Sequence, residues 1–503
     1  MGANTTAETL ELLKASQAKS DDVIKSFVQP NSATTGLQAY NLEAPSKKMY
    51  PILTPLRNEI PRVSGGFAIQ ANWKAINNIN VANVRAGVGE GQRGGVINYS
   101  MTENFAAFRG FGLENSVTFE ANYASKNFED VKALAVQQTL EATMVQEERL
   151  ILGGNTSVNL GTTPTPSATG ANTGGALPAA TYSLICVALG LQAYLDAVGV
   201  NNGSTGQYFN AATAVIPSEI TRTNADGSTS TFGGGAAEVS AAASVVVGGS
   251  GAGSVTASVA AVRGAVGYGW FFGASGSEKL VAVTSVNSVS ITAVAASGAQ
   301  TAASMGSGDN STSTLDFDGL LYQAIKTGSN AYYKAMATGN TGLTSDGAGG
   351  IVEFEEAFIG FYNKYRLSPS VAYISAQELV NITKKIVANG GAPLLRLTMA
   401  ADNQGTIQAG VRVGQYLNKV TGTMVDLIVH PNMPAGTIFF YTKNLPYPMS
   451  NVSNVAQMLL RQDYYQLEWP LKTRKYEYGV YADGVLQHYA PFSMGVISNI
   501  ANA

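Results

Sequence analysis

The run from Phe128 to Leu152, FEDVKALAVQQTLEATMVQEERLIL, constrains this chain more than any other stretch. Val136, Leu140 and Met144 fall four apart, and Val131 with Leu134 and Ala135 makes a second stripe, so the spacing predicts one long helix. A helix that is apolar on two sides must be covered on two sides. Asn127 offers a cap, Glu129 and Asp130 suit the first turn, and Gly153-Gly154-Asn155 ends the run.

Ahead of the helix lies a glycine pattern with an ambiguous meaning. Gly89 to Gly94, inside VGEGQRGGV, matches the Gly-x-Gly-x-x-Gly of nucleotide-binding loops. Such a loop follows a strand and opens a helix. Here Ile97, Tyr99 and Met101 alternate with Asn98, Ser100 and Thr102 downstream, and Ile79 to Val84 is β-branched upstream. The glycines therefore join strand to strand. They are predicted to form the tip of a long hairpin from Phe67 to Phe119, where Gly supplies positive φ. A hairpin of that length needs packing partners to persist.

The N-terminal stretch carries two short helix signals. Thr5-x-x-Glu8 is a capping box before Leu10, Leu12 and Leu13, and Ser20-Asp21-Asp22 precedes Val23, Ile24 and Phe27, with Pro30 as the stop. Helices this short are marginal alone, which suits an arm folding on a neighbouring subunit, or else a frayed terminus. Met1-Gly2 with Thr6 fits the short myristoylation pattern, and nothing near the start resembles a signal peptide.

After Asn155 the composition breaks. Residues 156–314 hold only Asp196, Glu219, Arg222, Asp226, Glu238, Arg263, Glu278, Lys279 and Asp309 as charged groups. Even the whole chain is just 13% charged, with 55 Gly, against roughly 25% charged in average soluble domains. Strand-like runs recur at Tyr182–Leu189, Ser254–Val262, Gly267–Phe272, Lys279–Val283 and Val286–Val294, with Gly, Ser and Asn turns between them. This reads as an all-β sandwich, and Val255 to Trp270 resembles the early strands of fibronectin type III and other immunoglobulin-like domains. From Leu315 onward the pattern is mixed. Helices are expected at Phe317–Ile325, Val352–Tyr365 and Ala376–Val387, and strands at Val371–Ile374, Met424–Val429, Thr437–Tyr441 and Tyr476–Tyr481, an α+β body.

Chemistry finds little foothold. The net charge of −3 marks no general nucleic-acid binder. Cys186 is the single cysteine and sits in an apolar run, so it reads as core. His430 and His488 are the only histidines and no zinc motif includes them. Asp316 with Asp318, and Glu353 with Glu355 and Glu356, sit at expected helix starts, where carboxylates favour the dipole. Arg461 and Arg474 with Trp469 offer a weak stacking surface for nucleic acid, against a core or subunit-interface role. No stretch of eighteen apolar residues spans a membrane. No catalytic, cofactor or metal site is expected, and no enzyme.

The order of these parts resembles a known family. An arm, KMYPILTPLR from Lys48 to Arg57, the hairpin, the helix ending Gly-Gly-Asn, His430 to Phe439 and Thr473 to Gly484 together are similar to the major capsid proteins of tailed bacteriophages, with the α+β Hong Kong 97-type fold. The resemblance implies an N-terminal arm (1–60), an E-loop hairpin (61–120), a P-domain spine helix (121–155), a P-domain continuation (315–366), an A-domain (367–450) and a closing P-domain segment (451–503). Residues 156–314 then stand as an inserted immunoglobulin-like sandwich, expected to face outward and to be dispensable for shell closure, or alternatively to pack between capsomers. It also implies hexamers and pentamers of an icosahedral shell around double-stranded DNA bound without sequence specificity. Such a virion component would assemble in the host bacterial cytoplasm, with a separate scaffolding protein, a portal and decoration proteins as partners and no membrane. Gly89, Glu90, Gly91, Arg93 and Gly94 at the hairpin tip would contact a neighbouring subunit, and without a lysine there crosslinking is not expected. An encapsulin-like compartment shell shares the fold, and a β-rich surface adhesion protein is the more distant alternative.

Overall fold

The computed structural model describes residues 46–80, 84–126, 128–199, 214–224, 226–249, 251–339, 341–388, 396–399, 405–408 and 412–502. The helix signals at Thr5 and Ser20, and Asn127, lie outside the described residues.

The long helix runs from Val131 to Gly153. Asp130 caps it, its side chain accepting from the Lys132 and Ala133 amides. The helix lies on Arg109–Thr118 and Lys475–His488, two neighbouring strands of a four-stranded sheet that continues through Ala456–Glu468 to the short parallel strand Arg62–Ser64. Its most buried ridge is not the expected Val136–Leu140–Met144 stripe. Ala135, Thr139 and Thr143 are buried instead, while the stripe is half-buried. Small side chains allow close approach, and each threonine hydroxyl donates to the carbonyl four residues back, at 2.7 and 2.8 Å.

A six-stranded sheet forms the second body, in the order Tyr332–Ala335, Gly495–Ser498, Ile438–Tyr441, Val371–Ile374, Met424–Val429 and Gln415–Leu417. Alternation along its strands feeds two cores. Val371, Tyr373, Phe439 and Tyr441 join the core that holds the end of the long helix. Ala372, Ile374, Ile438 and Phe440 face the other way, onto Phe354, Phe358 and Phe361 of helix Val352–Tyr365 and Ile382 of helix Ala376–Ala388. Two of its strands, Tyr332–Ala335 and Gly495–Ser498, come from outside 367–450, because the central strands need paired neighbours on both flanks.

Within this body Glu378 is fully buried. One oxygen accepts from the Gly436 amide at 3.0 Å and the other has no partner. Burial pushes its carboxyl up to about 7, against the Gly436 and Asn381 hydrogen bonds that favour the charged form. An unfolded Glu ionises near pH 4.3, so the folded state holds a proton that unfolding releases between about pH 4.3 and 7. Stability from this group is fully present below that window and is lost as pH rises through it. Glu378→Gln is expected to remove the loss and to be the more stable protein at about pH 8, by on the order of 3 kcal/mol. Thermal unfolding at about pH 5 and pH 8 checks this; a pH dependence equal to that of the parent contradicts it.

Residues 156–314 contain two sheets that share one core. One holds Ser288–Ile291, Ser254–Ser258 and Ser167–Ala171; the other holds Lys279–Thr284, Gly267–Gly273, Ala180–Leu189 and Ala243–Val247. Tyr268, Trp270 and Phe272 point into that core, as do Cys186 and Val255. The strand order differs from the immunoglobulin arrangement, in which the fifth strand joins the first two in one sheet and the third pairs with the last two in the other. The second sheet is also covered on its far face. Val187, Leu189 and Phe271 pack there on Ala193 and Ala197 of a helix, Leu191–Val198, that the β-like sequence did not suggest.

The Gly153–Gly154 end of this insert is packed rather than a free linker. Leu191, Leu195 and Val266 belong to the same core as Ile151, Leu152, Phe317, Leu320 and Leu321. Gly153 lies directly against the Leu191 side chain, closely enough that a Cβ there would collide. At the far side the Asn287 amide donates to Asn499 Oδ1 at 2.8 Å, and Arg263 Nε donates to the Ile325 carbonyl at 2.8 Å.

Candidate assembly surfaces

The hairpin pairs Gln70–Asn80 with Asn98–Ala107, from Gln70 opposite Ala107 to Asn80 opposite Asn98, with a bulge between Ile76 and Asn78. Residues directly opposite share a face of the ribbon. One face therefore carries Ile76 with Met101, Ile79 with Tyr99, the pair Lys74 and Glu103, and Phe105. The other carries Trp73 opposite Asn104 at its base, with Ala71, Ala75 and Thr102 as its small and polar members. Ile76 is 65% exposed, Tyr99 61% and Phe105 72%, so the apolar face is not covered by the described residues. Beyond the paired strands Ile97 and Val96 are exposed as well.

Trp73 and Arg461 anchor the base of the hairpin to the body. Trp73 is buried, donates from Nε1 to the His488 carbonyl at 2.7 Å and meets the His488 ring edge-on at 5.5 Å. Burial lowers the pKa of that imidazole to about 4, so it stays neutral there. Arg461, read from the sequence as a stacking candidate, donates to the Ala68 carbonyl, pairs with Asp483 and lies over the Phe108 ring. It braces the hairpin base. Arg474 pairs with Glu120 at the surface.

The tip residues Gly89, Glu90, Gly91, Arg93 and Gly94 are all exposed. Gly91 alone among them has positive φ, +73°, and the Gln92 amide closes the turn on the Gly89 carbonyl at 3.0 Å. The next element is the strand Asn98–Ala107, so no helix N-terminus meets these glycines and the dinucleotide reading has no geometry behind it.

The stretch leading into the hairpin is held by a buried carboxylate pair. Glu147 and Glu148 of the long helix are both fully buried. Glu148 accepts from the Leu56 and Arg57 amides at 2.8 and 2.6 Å and meets His430 Nε2 at 2.6 Å. The Asn432 amide donates to His430 Nδ1, so Nε2 carries the proton and donates to Glu148. Glu147 binds Arg57, Arg62 and the Tyr464 hydroxyl. Further out, Lys48 and Tyr50 reach Glu141, and Ser46 reaches Glu129, so residues 46–62 run along the helix. Sequence reading missed this clamp. Its signal was two adjacent acids in QEERLIL, where the helical period demands burial, with Arg57 and Arg62 in a proline-flanked stretch.

Glu353 and Glu355 do sit in the first turn of Val352–Tyr365, whereas Asp316 and Asp318 precede a helix that starts only at Leu320. Glu353 accepts from the Thr344 amide, Glu355 binds Lys419, and Asp318 accepts from the Thr156 and Ser157 amides. Cys186 is fully buried, and burial pushes its thiol well up, away from the reactive thiolate. Among the described residues no group of three or more His, Cys, Asp or Glu is placed to hold a metal ion, and no helix is long and apolar enough to cross a membrane.

No protein-family model matches the sequence, and no curated protein sequence does. Among solved structures, the chain is similar to the capsid of Myoviridae phage XM1, at 8% identity and a TM-score of 0.39, over 93% of this chain and 100% of that one. It is similar to the capsid of a native GTA particle at 7% identity and a TM-score of 0.39, over 95% of this chain and 100% of that one. The encapsulin of Synechococcus elongatus gives 8% identity and a TM-score of 0.36, over 92% and 94%. Likenesses at this level carry no weight for function.

Proposed function

We propose that this chain is a major capsid protein of the Hong Kong 97 type, a structural protein that closes into an icosahedral shell of hexamers and pentamers. The observation that carries the reading is the hairpin, a long ribbon with one largely apolar face that the described residues leave uncovered. It stands on a body made of a spine helix laid across a sheet, in the same chain order as in that family. Burying Ile76, Ile79, Tyr99, Met101 and Phe105 against another copy contributes roughly 1.5–3 kcal/mol each. Summed, that offsets an association cost of roughly 4–15 kcal/mol. In this reading residues 61–120 are the E-loop, 121–155 the spine, and 367–450, which supply four strands of the six-stranded sheet, the A-domain. The shell is a virion component enclosing double-stranded DNA, built in the host cytoplasm with separate scaffolding, portal and decoration proteins.

Ile79 and Met101 are exposed, so Ile79→Lys with Met101→Glu is expected to leave the fold intact, with stability changed by about 0.5 kcal/mol or less per site. Particles should fail to form, as read by sedimentation and electron microscopy of the lysate. Particle yield equal to that of the parent contradicts the proposal.

Glu90 and Arg93 at the tip are proposed to pair with a neighbouring subunit. Each exposed pair is worth about 0–1 kcal/mol, multiplied over a shell. Particles carrying Glu90→Ala and Arg93→Ala should lose heat tolerance in low salt; unchanged tolerance removes the role.

A further inference from the structure

A cavity of about 290 Å³ lies where the end of the spine helix, the strand Arg109–Thr118 and the insert meet. Arg149 of the helix and Arg222 of the insert both line it, together with Asp196 and Asp316. Arg109 stands beside it, with Nε donating to the Asp316 carbonyl at 3.2 Å. Three cations from three separate elements thus meet two carboxylates.

These groups neutralise one another only in part. Arg149 is only 4% exposed, pairs with Asp196 at 2.8 Å, and keeps a buried Nε with no hydrogen-bond partner. Leaving such a donor unpaired is costly. Arg222 is exposed and acts on Asp316 through its charge. Burial pushes the Asp316 carboxyl up to about 6, although the Asn155 amide and Arg149, Arg222 and Arg109 all favour its ionised form. The other titratable groups nearby are committed. Asp318 holds Thr156, Ser157 and Lys326, and the Tyr322 and Tyr481 hydroxyls are raised by burial and stay neutral.

We propose that this cavity binds a small oxyanion of the sulfate, phosphate or carboxylate class, held between Arg149 and Arg222. With Asp316 ionised, three arginines face two carboxylates. With Asp316 protonated they face one, and the site calls more strongly for a negative ligand. Anion binding therefore strengthens as pH falls through about 6. The site is independent of shell formation.

The test is calorimetric titration of the full chain with sodium sulfate, at fixed ionic strength, at about pH 5.5 and 7.5, which bracket the Asp316 transition. Saturable binding is expected, about tenfold tighter at the lower pH, because the competent protonation state is then the major one. Arg222→Ala should weaken it about tenfold, the loss of one charge-assisted contact. Asp316→Asn should bind at the higher pH as the parent does at the lower. An affinity independent of protein concentration marks a free ion as the ligand. One that weakens with concentration marks competition from the carboxylate of a second copy. No saturable binding at either pH, or equal affinity in Arg222→Ala, overturns the proposal.

Discussion

Replacing residues 156–314 with a short Gly/Ser linker is expected to yield an insoluble chain rather than smooth-surfaced particles. The composition break suggested a removable outer module, but the junction is a shared core. Deletion would expose Ile151, Leu152, Phe317 and Leu320, which now pack with Leu191, Leu195 and Val266. Each such side chain loses roughly 1.5–3 kcal/mol of burial, and a whole domain has only about 5–15 kcal/mol to lose. The deletion also removes Asp196 from the buried Arg149, and Asn287 from Asn499. Solubility after expression, followed by circular dichroism of any soluble fraction, checks this. A soluble, cooperatively folded deletion chain that still forms particles would show that the insert is an accessory.

Glu148→Ala is expected to lower stability by about 3 kcal/mol or more, since each of three buried donors left unpaired costs roughly 1–3 kcal/mol. The substitution leaves the Leu56 and Arg57 amides and His430 Nε2 without an acceptor in a site closed to water. Glu148→Gln should recover only part of the loss, because one amide oxygen replaces two carboxylate oxygens facing three donors. Glu129→Gln, at an exposed contact with Ser46 just ahead of the helix, should change stability by about 0.5 kcal/mol or less. Chemical denaturation of the three variants measures the ranking. Equal stability of Glu148→Ala and Glu129→Gln would mean that the clamp does not hold the 54–62 corner to the helix.

Much of the body was legible because its elements are local. Val352–Tyr365, Val371–Ile374 and Met424–Val429 occupy the ranges their apolar spacing predicts. The hairpin was legible from two alternating runs with glycines between them. What escaped depends on distance in the chain. Nothing near Arg62–Ser64 announces that it pairs in parallel with Met458–Leu460. The helix Leu191–Val198 hides in an apolar, charge-poor segment where a short run fits strand and helix equally. The buried ridge of the spine helix went to Ala135, Thr139 and Thr143 because close packing on a sheet selects small side chains over large ones. The assembly surface was readable only as a surplus, a hairpin with more apolar surface than the described residues cover.

The most direct measurement is a three-dimensional electron-microscopy reconstruction of the purified full-length chain after assembly. The account predicts closed icosahedral shells in which residues 70–107 cross onto an adjacent subunit, with Ile76, Ile79, Tyr99 and Met101 buried at the contact. A chain that stays monomeric under all assembly conditions, or particles in which that hairpin folds back wholly onto its own subunit, would contradict it.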